Sequence, residues 1–389
     1  MEEWKRDNLG YLLELTYGKS LPKNKRVAGN IPVYGSNGIV GFHNVAIVNE
    51  PGIIVGRKGS AGNVRISKVP FCPIDTTFYI TQQHSKLDLE YLYYALNFLD
   101  LKRILGDVGV PGLNREMAYL EELFYPSDKA EQRKIAHVLS TVQKAIEQQD
   151  KLIRTTTELK KTIMQKLFTE GTRGEPQKET EIGLVPESWE VVNLIAVCEK
   201  PQYGFTDSAS KEGNAQFLRI TDITEFGVKW NEVPYCNCPD YKKYELKNGD
   251  IVFARIGATT GKSYLIKNPP KSVYASYLIR VRCRDEILPE FLINYFETEQ
   301  YWSQINARKG DNLKGGVNGS ILSKLFTPKP SLGDQEKMAS TFMILDKKIA
   351  FSLSKKQTLT DLFKTLLHEL MTGQRRVHEL EFDEMMKGI

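Results

Sequence analysis

The chain has 389 residues, 41% of them hydrophobic, which is enough for roughly two to three domains with real cores and excludes a wholly disordered polypeptide. Lysine and arginine outnumber aspartate and glutamate 53 to 48, a net charge of +5 that suits a polyanionic partner without requiring one. The five scattered cysteines and an opening MEEWKRDNLG without an apolar signal core lead us to expect a cytoplasmic protein with reduced thiols, and no apolar stretch approaches the roughly 20 residues of a membrane helix.

In chain order, residues 1–128 hold short β-type runs, such as 52–56 and 78–81, between Gly, Pro and Asn turns, with a helix expected near 90–98. Residues 129–172 are helical, with the helix itself expected over 129–170. Residues 173–188 read as a linker, overlapping the polar stretch GTRGEPQKETEIGLVP (171–186) with its Gly and Pro breakers. A second β-rich stretch, 189–330, has runs at 250–256 and 278–282 and a helix near 290–297. Residues 331–376 are again helical, mainly over 334–372, and 377–389 form a tail.

This order is a duplication. Residues 132–173 align without a gap on 335–376, so that Gln132 falls on Gln335, Ala136 on Ala339, Ile146 on Ile349 and Leu167 on Leu370. The correspondence continues backwards through Phe124 and Phe326, the loops GDVGVPGLN and GDNLKGGVN, and Arg57 and Arg255, to Trp4 and Trp189. The fold class expected is therefore α+β: two similar domains with twisted, largely antiparallel mixed sheets and two long helices.

Each helix would run about 60 Å at 1.5 Å per residue and needs a partner to bury its stripe. Alternating four- and three-residue steps align Ile135, Leu139, Val142, Ile146, Gln149, Ile153, Thr156, Lys160, Ile163 and Leu167 on the first. The same steps align Met338, Phe342, Leu345, Ile349, Ser352, Lys356, Leu359, Phe363, Leu366 and Leu370 on the second. Both read as coiled-coil seams with a polar centre, since Gln149 falls on Ser352. An antiparallel pair with pseudo-two-fold symmetry would place these two residues near the crossing; the alternative is that each helix packs only on its own domain.

Two motifs mimic catalytic ones. Gly257-Ala-Thr-Thr-Gly261-Lys262-Ser263 resembles a phosphate-binding loop, but it has three residues between its glycines and leads into a strand rather than a helix. Asn268-Pro269-Pro270 resembles the adenine-methyltransferase motif, but Lys271 replaces its aromatic and no glycine-rich cofactor loop precedes it. Cys236 and Cys238 form a lone C-x-C without a second ligand pair, so no metal is expected. The histidines do not cluster, and no nucleophile-base or paired-carboxylate arrangement is visible, so no catalytic residue and no bound cofactor are expected.

What remains is a set of basic, glycine-rich loops in both repeats. Glycines let a backbone approach a phosphate, while Arg, Asn and Ser supply the groups that base edges pair with. The DNA-binding candidates are Ser36, Asn37, Arg57, Lys58, Ser60, Asn114 and Arg115 in the first repeat, and Arg219, Thr221, Arg255, Lys262, Asn312, Lys314 and Asn318 in the second.

The segments IPVYGSNGIVGFHN, GRKGSAG, GLVPESWEV and FLRITDI resemble target-recognition segments of type I restriction-modification specificity subunits, and EQRKIAHVLSTVQKAI and DQEKMASTFMILDKKI are similar to the openings of that family's two spacer helices. The resemblance covers essentially the whole chain. It implies two target recognition domains, each reading one half of a bipartite, asymmetric site on double-stranded DNA, with the helices setting the gap. It also implies two methyltransferase subunits and two restriction subunits as partners, with S-adenosylmethionine, ATP and Mg on those partners only. A methylation-only complex and a fused DNA-modifying enzyme are the alternatives.

Overall fold

The computed structural model describes residues 4–104, 112–224, 227–310 and 316–379. The chain divides into two compact units, Met1–Asp150 with Ser354–Ile389, and Lys151–Leu353. The division cuts both long helices, Lys129–Glu170 and Leu332–Met371, near their middles.

In the first unit, Trp4–Asn8 pairs antiparallel with Glu122–Pro126. A four-stranded antiparallel sheet runs in the order Thr16–Tyr17, Thr77–Thr81, Gly52–Gly56, Val64–Ser67. A three-stranded sheet runs Gly38–His43, Ile31–Gly35, Cys72–Pro73, its last pair parallel. Gly52–Gly56 is buried along its whole length because both faces are covered. Ile53 and Val55 enter the main core with the helix Leu89–Leu99, while Ile54 packs with Tyr34, Val48 and Phe71. Asp88 caps that helix, its side chain accepting from the Tyr91 N–H.

The second unit repeats this topology strand for strand. Glu190–Asn193 pairs with Phe326–Lys329; the four-stranded sheet is Gln202–Tyr203, Leu278–Val281, Ile251–Ala254, Ser263–Leu265; and Tyr235–Cys236, Ala215–Leu218 and Ser272–Tyr274 form the three-stranded one, again with one parallel pair. Ile251 and Phe253 face the main core and Val252 the smaller one, as Ile53, Val55 and Ile54 do. Among the described residues, additions to the second unit include a hairpin at Ile223–Thr224 and Gly227–Val228 and the helix Glu299–Gly310, where the first unit has the short turn Leu101–Ile104.

One repeated residue explains how each long helix is seated. The Gln132 side chain, 1% exposed, accepts from the Asp88 N–H at 2.7 Å and donates to the Pro126 carbonyl at 2.8 Å. Gln335, fully buried, accepts from the Leu288 N–H at 2.7 Å and donates to the Pro330 and Glu286 carbonyls at 3.0 and 3.1 Å. Each glutamine thus satisfies backbone groups at the start of the domain helix and at the end of the last strand.

Within each unit the two long helices lie antiparallel. In the first, Lys356 meets Asp150 at 2.6 Å and Arg376 grips Glu131 through two contacts of 2.7 Å, so one number falls as the other rises. In the second, Lys160 meets Asp346 at 2.8 Å, and Asp334 accepts from Thr172 and Arg173 at 2.5 and 3.1 Å. Ile135, Leu139 and Val142 share a core with Leu359, Leu366 and Leu370, while Met338 and Phe342 share one with Met164 and Phe168. The helices pack on the domain cores as well as on each other. Ile146, Gln149, Ile153, Leu345 and Ile349 are half-buried, while Thr156 and Ser352 are buried.

Three expectations need correcting. At the far end of the first helix Met164 and Phe168 are buried, with Ile163 and Leu167 only partly so, because the second-domain core adds a partner that a two-helix seam leaves out. Lys160, on the expected apolar stripe, is instead the centre of an ion-pair cluster with Glu297 and Asp346, each at 2.8 Å. The polar stretch before the second repeat is no open tether: Gln177–Thr180 and Gly183–Pro186 form a hairpin whose Ile182 and Val185 enter the second core.

Asp334 offers a pH-dependent test. Burial by itself would raise its carboxyl pKa, but hydrogen bonds from Thr172 and Ser331 and the Arg173 charge outweigh it and hold the carboxyl below its ordinary value. A depressed folded-state pKa stabilises the fold above the unfolded value, about 3.9, and that contribution fades as pH falls through the folded pKa. Asp334→Asn is therefore expected to cost about 2 kcal/mol in urea unfolding at pH 7 and less at pH 3, below the unfolded value. An equal cost at both pH values would show that the carboxylate charge contributes nothing.

Candidate nucleic-acid interface

The loop at Arg57 is held by its backbone. The Arg57 N–H donates to the Thr76 carbonyl at 2.8 Å, and its carbonyl accepts from the Leu113 N–H at 2.8 Å. The equivalent loop repeats this pattern, with Arg255 donating to Tyr277 at 3.0 Å and accepting from Val317 at 3.0 Å. The side chains match as well. The Arg57 guanidinium lies 5.3 Å from the centre of the Tyr17 ring, and that of Arg255 lies 5.2 Å from the centre of Tyr203. Both distances are within cation–π range, and both rings are substantially exposed, Tyr17 at 48% and Tyr203 at 40%.

The neighbours of these pairs differ. In the first unit Arg115 also lies 5.3 Å from Tyr17, and the Nε and Nη2 of Arg57 donate to the Asp75 carbonyl at 3.1 and 2.6 Å. In the second, the position matching Arg115 is Gly319, whose N–H donates to the Tyr203 hydroxyl at 2.9 Å.

The other candidates divide by what their polar atoms already do. Ser36 is buried, its hydroxyl within hydrogen-bond distance of the Lys58 carbonyl and, at 2.8 Å, of the Thr76 carbonyl, so it braces the Arg57 loop. Asn114 caps the helix Arg115–Tyr119, accepting from the Glu116 and Met117 N–H groups at 2.9 and 3.3 Å. Asn318 caps Gly319–Ser323 by accepting from the Ile321 N–H at 2.9 Å. Arg219 is engaged with Asp222 through contacts of 3.0 and 2.7 Å, and Thr221 is exposed on the same turn. Asn37, Lys58 and Lys262 are exposed and Ser60 is half-buried. Asn312 and Lys314 lie outside the described residues.

The catalytic mimics are turns. Gly257 and Gly261 adopt φ of +82° and +89°, and Ser263 opens a strand, so no helix amide cluster faces a phosphate. Asn268, at φ +44°, donates its N–H to the Asn248 side chain. Burial pushes the Cys236 thiol up to about 11, with Cys238 also raised, so both stay protonated at neutral pH. Among the described residues no three metal-ligating side chains converge, and no helix is long and apolar enough to cross a membrane.

Tyr17 and Tyr203 are absent from the sequence-derived candidates. A signal was available, because each is followed by glycine, Gly18 and Gly204. A Cβ on Gly18 would stand 2.1 Å from the Ile74 carbonyl oxygen, and one on Gly204 2.2 Å from that of Ala275. Only glycine lets these short strands approach so closely.

The family model for the type I restriction modification DNA specificity domain matches residues 1–157 and 186–361. The chain is 27% identical over 351 residues to the type I restriction enzyme MjaVIII specificity subunit of Methanocaldococcus jannaschii, covering 86% of this chain and 82% of that one. It is 31% identical over 173 residues to a putative type I specificity subunit of Mycoplasma pneumoniae, 43% of this chain and 46% of that one. Its fold is similar to the crystal structure of a type I restriction-modification system S subunit from M. genitalium, with a TM-score of 0.72 and 17% identity over 95% of this chain and 96% of that one.

Proposed function

The chain belongs to the type I restriction-modification DNA specificity family, and we propose that it is the non-catalytic, DNA-reading subunit of such a system, each domain reading one half of a bipartite asymmetric site. The observation that carries this reading is the corresponding arginine in each repeat, on a loop held by equivalent backbone hydrogen bonds and near an exposed tyrosine ring. A guanidinium held in one orientation suits paired hydrogen bonds to a base edge. Two such groups in two similar domains suit a two-part site.

The long helices set the distance between the halves and dock two methyltransferase subunits, which carry the S-adenosylmethionine chemistry. Two restriction subunits complete a cleaving complex and hold ATP and Mg. A chain that methylated or cleaved DNA by itself would instead be a fused enzyme.

Arg57→Ala is expected to weaken recognition of one half-site by about 1–3 kcal/mol and leave the other half intact, with Arg255→Ala doing the reverse. Binding of a methyltransferase complex containing the full chain to DNAs substituted in one half at a time measures this. A uniform loss for every sequence would make the arginines phosphate contacts.

A further inference from the structure

We propose that Tyr17 and Tyr203 are positioning residues that hold Arg57 and Arg255 for guanine, so that each half of the site contains a guanine read in the major groove. The inference rests on the two-domain reading above and goes beyond it by naming the base and the groups that select it.

The geometry leaves one edge of each guanidinium free. Arg57 is fixed along its Nε–Nη2 edge by the Asp75 carbonyl, and its guanidinium carbon lies 5.3 Å from the centre of the Tyr17 ring. Nη1 has no described partner and Nη2 keeps a second N–H beside the one given to Asp75, so the Nη1–Nη2 end can still donate two parallel hydrogen bonds. Guanine, with O6 and N7 side by side, is the base whose major-groove edge accepts such a pair. Arg255 has the same ring beneath it, and its described side-chain contact is with Tyr203 alone.

The rings are themselves held. Gly18 and Gly204 let each tyrosine's strand press against a neighbouring carbonyl too closely for any Cβ. Arg115 flanks Tyr17, whereas the Gly319 N–H anchors the Tyr203 hydroxyl. The two tyrosines should therefore answer differently to loss of the hydroxyl. Tyr17→Phe keeps the ring that supports the cation, but Tyr203→Phe loses an anchor.

The test uses a methyltransferase complex containing the full chain, with its site first located by mapping the bases it methylates. Guanines in each half are replaced singly by 7-deazaguanine, which lacks the N7 acceptor, and affinities are compared. Arg57→Ala should abolish sensitivity to one replacement in one half. Tyr17→Leu should reduce that sensitivity at least fivefold, Tyr17→Phe less than twofold, and Tyr203→Phe about threefold in the other half. Retained discrimination at the untouched half shows in each case that the variant is folded. If Arg57→Ala leaves all sensitivities unchanged, the reading of this loop as a base contact fails. If Arg57→Ala removes the sensitivity and Tyr17→Leu does not, that reading survives and the positioning role is overturned. A half-site without any guanine overturns the proposal directly.

Discussion

Phe168→Ala is expected to destabilise the second unit by about 3–5 kcal/mol, the range for emptying a well-packed aromatic site. The ring is 1% exposed and packs against Phe291, Tyr295, Phe342 and Trp189, with centroids 5.5, 5.7, 6.2 and 6.4 Å away. Four large side chains from several elements cannot all move inward to fill the space. The neighbouring Leu167 sits on the stripe that regular seam spacing selects, yet it is only partly buried. Leu167→Ala should cost less than half as much. Urea unfolding of the two variants measures the order, and a larger loss for Leu167→Ala would restore the regular seam and remove the case for the second-domain core as the dominant partner.

The largest functional change is expected from lengthening both helices where the chain passes between compact units, after Asp150 and after Leu353. One added heptad in each lengthens them by about 10.5 Å, close to three base-pair steps. Three base pairs also turn the DNA groove by roughly 100°, since a turn takes 10–10.5 base pairs. A heptad returns the helix face almost to its starting direction, so a one-heptad insertion should bind poorly at any gap. Three heptads add about 31 Å, nearly one DNA turn of 34–36 Å. That variant should recover binding to a site whose gap is longer by about 9 or 10 base pairs. Selection from DNA libraries with graded gaps reads the result. If a folded three-heptad variant prefers the original gap, the helices do not act as the ruler.

Much of the architecture was legible before any coordinates. The duplication announced that one fold occurs twice, the four runs read as β-type fall on strands, and the first long helix spans Lys129–Glu170 as expected. Such features depend on neighbours a few residues apart, so one chain carries them openly. The repeated Gln132 and Gln335 were visible as matches, but their purpose was not: each satisfies backbone groups brought to it from more than one segment.

The tertiary structure alone decided which polar groups are already used and which remain available. Ser36, Asn114 and Asn318 look like DNA-facing groups in a glycine-rich context, yet their side chains brace a loop or cap a helix. Lys160 looks like a flaw in an apolar stripe and proves to be an ion-pair hub. Tyr17 and Arg57 are separated by 40 residues, as Tyr203 and Arg255 are by 52, and nothing in local spacing links either pair. Periodicity reports the face a segment buries, because that is a property of the segment. The partner of an individual polar or aromatic group is set by the approach of distant backbone, and that is fixed only when the sheets and helices have packed.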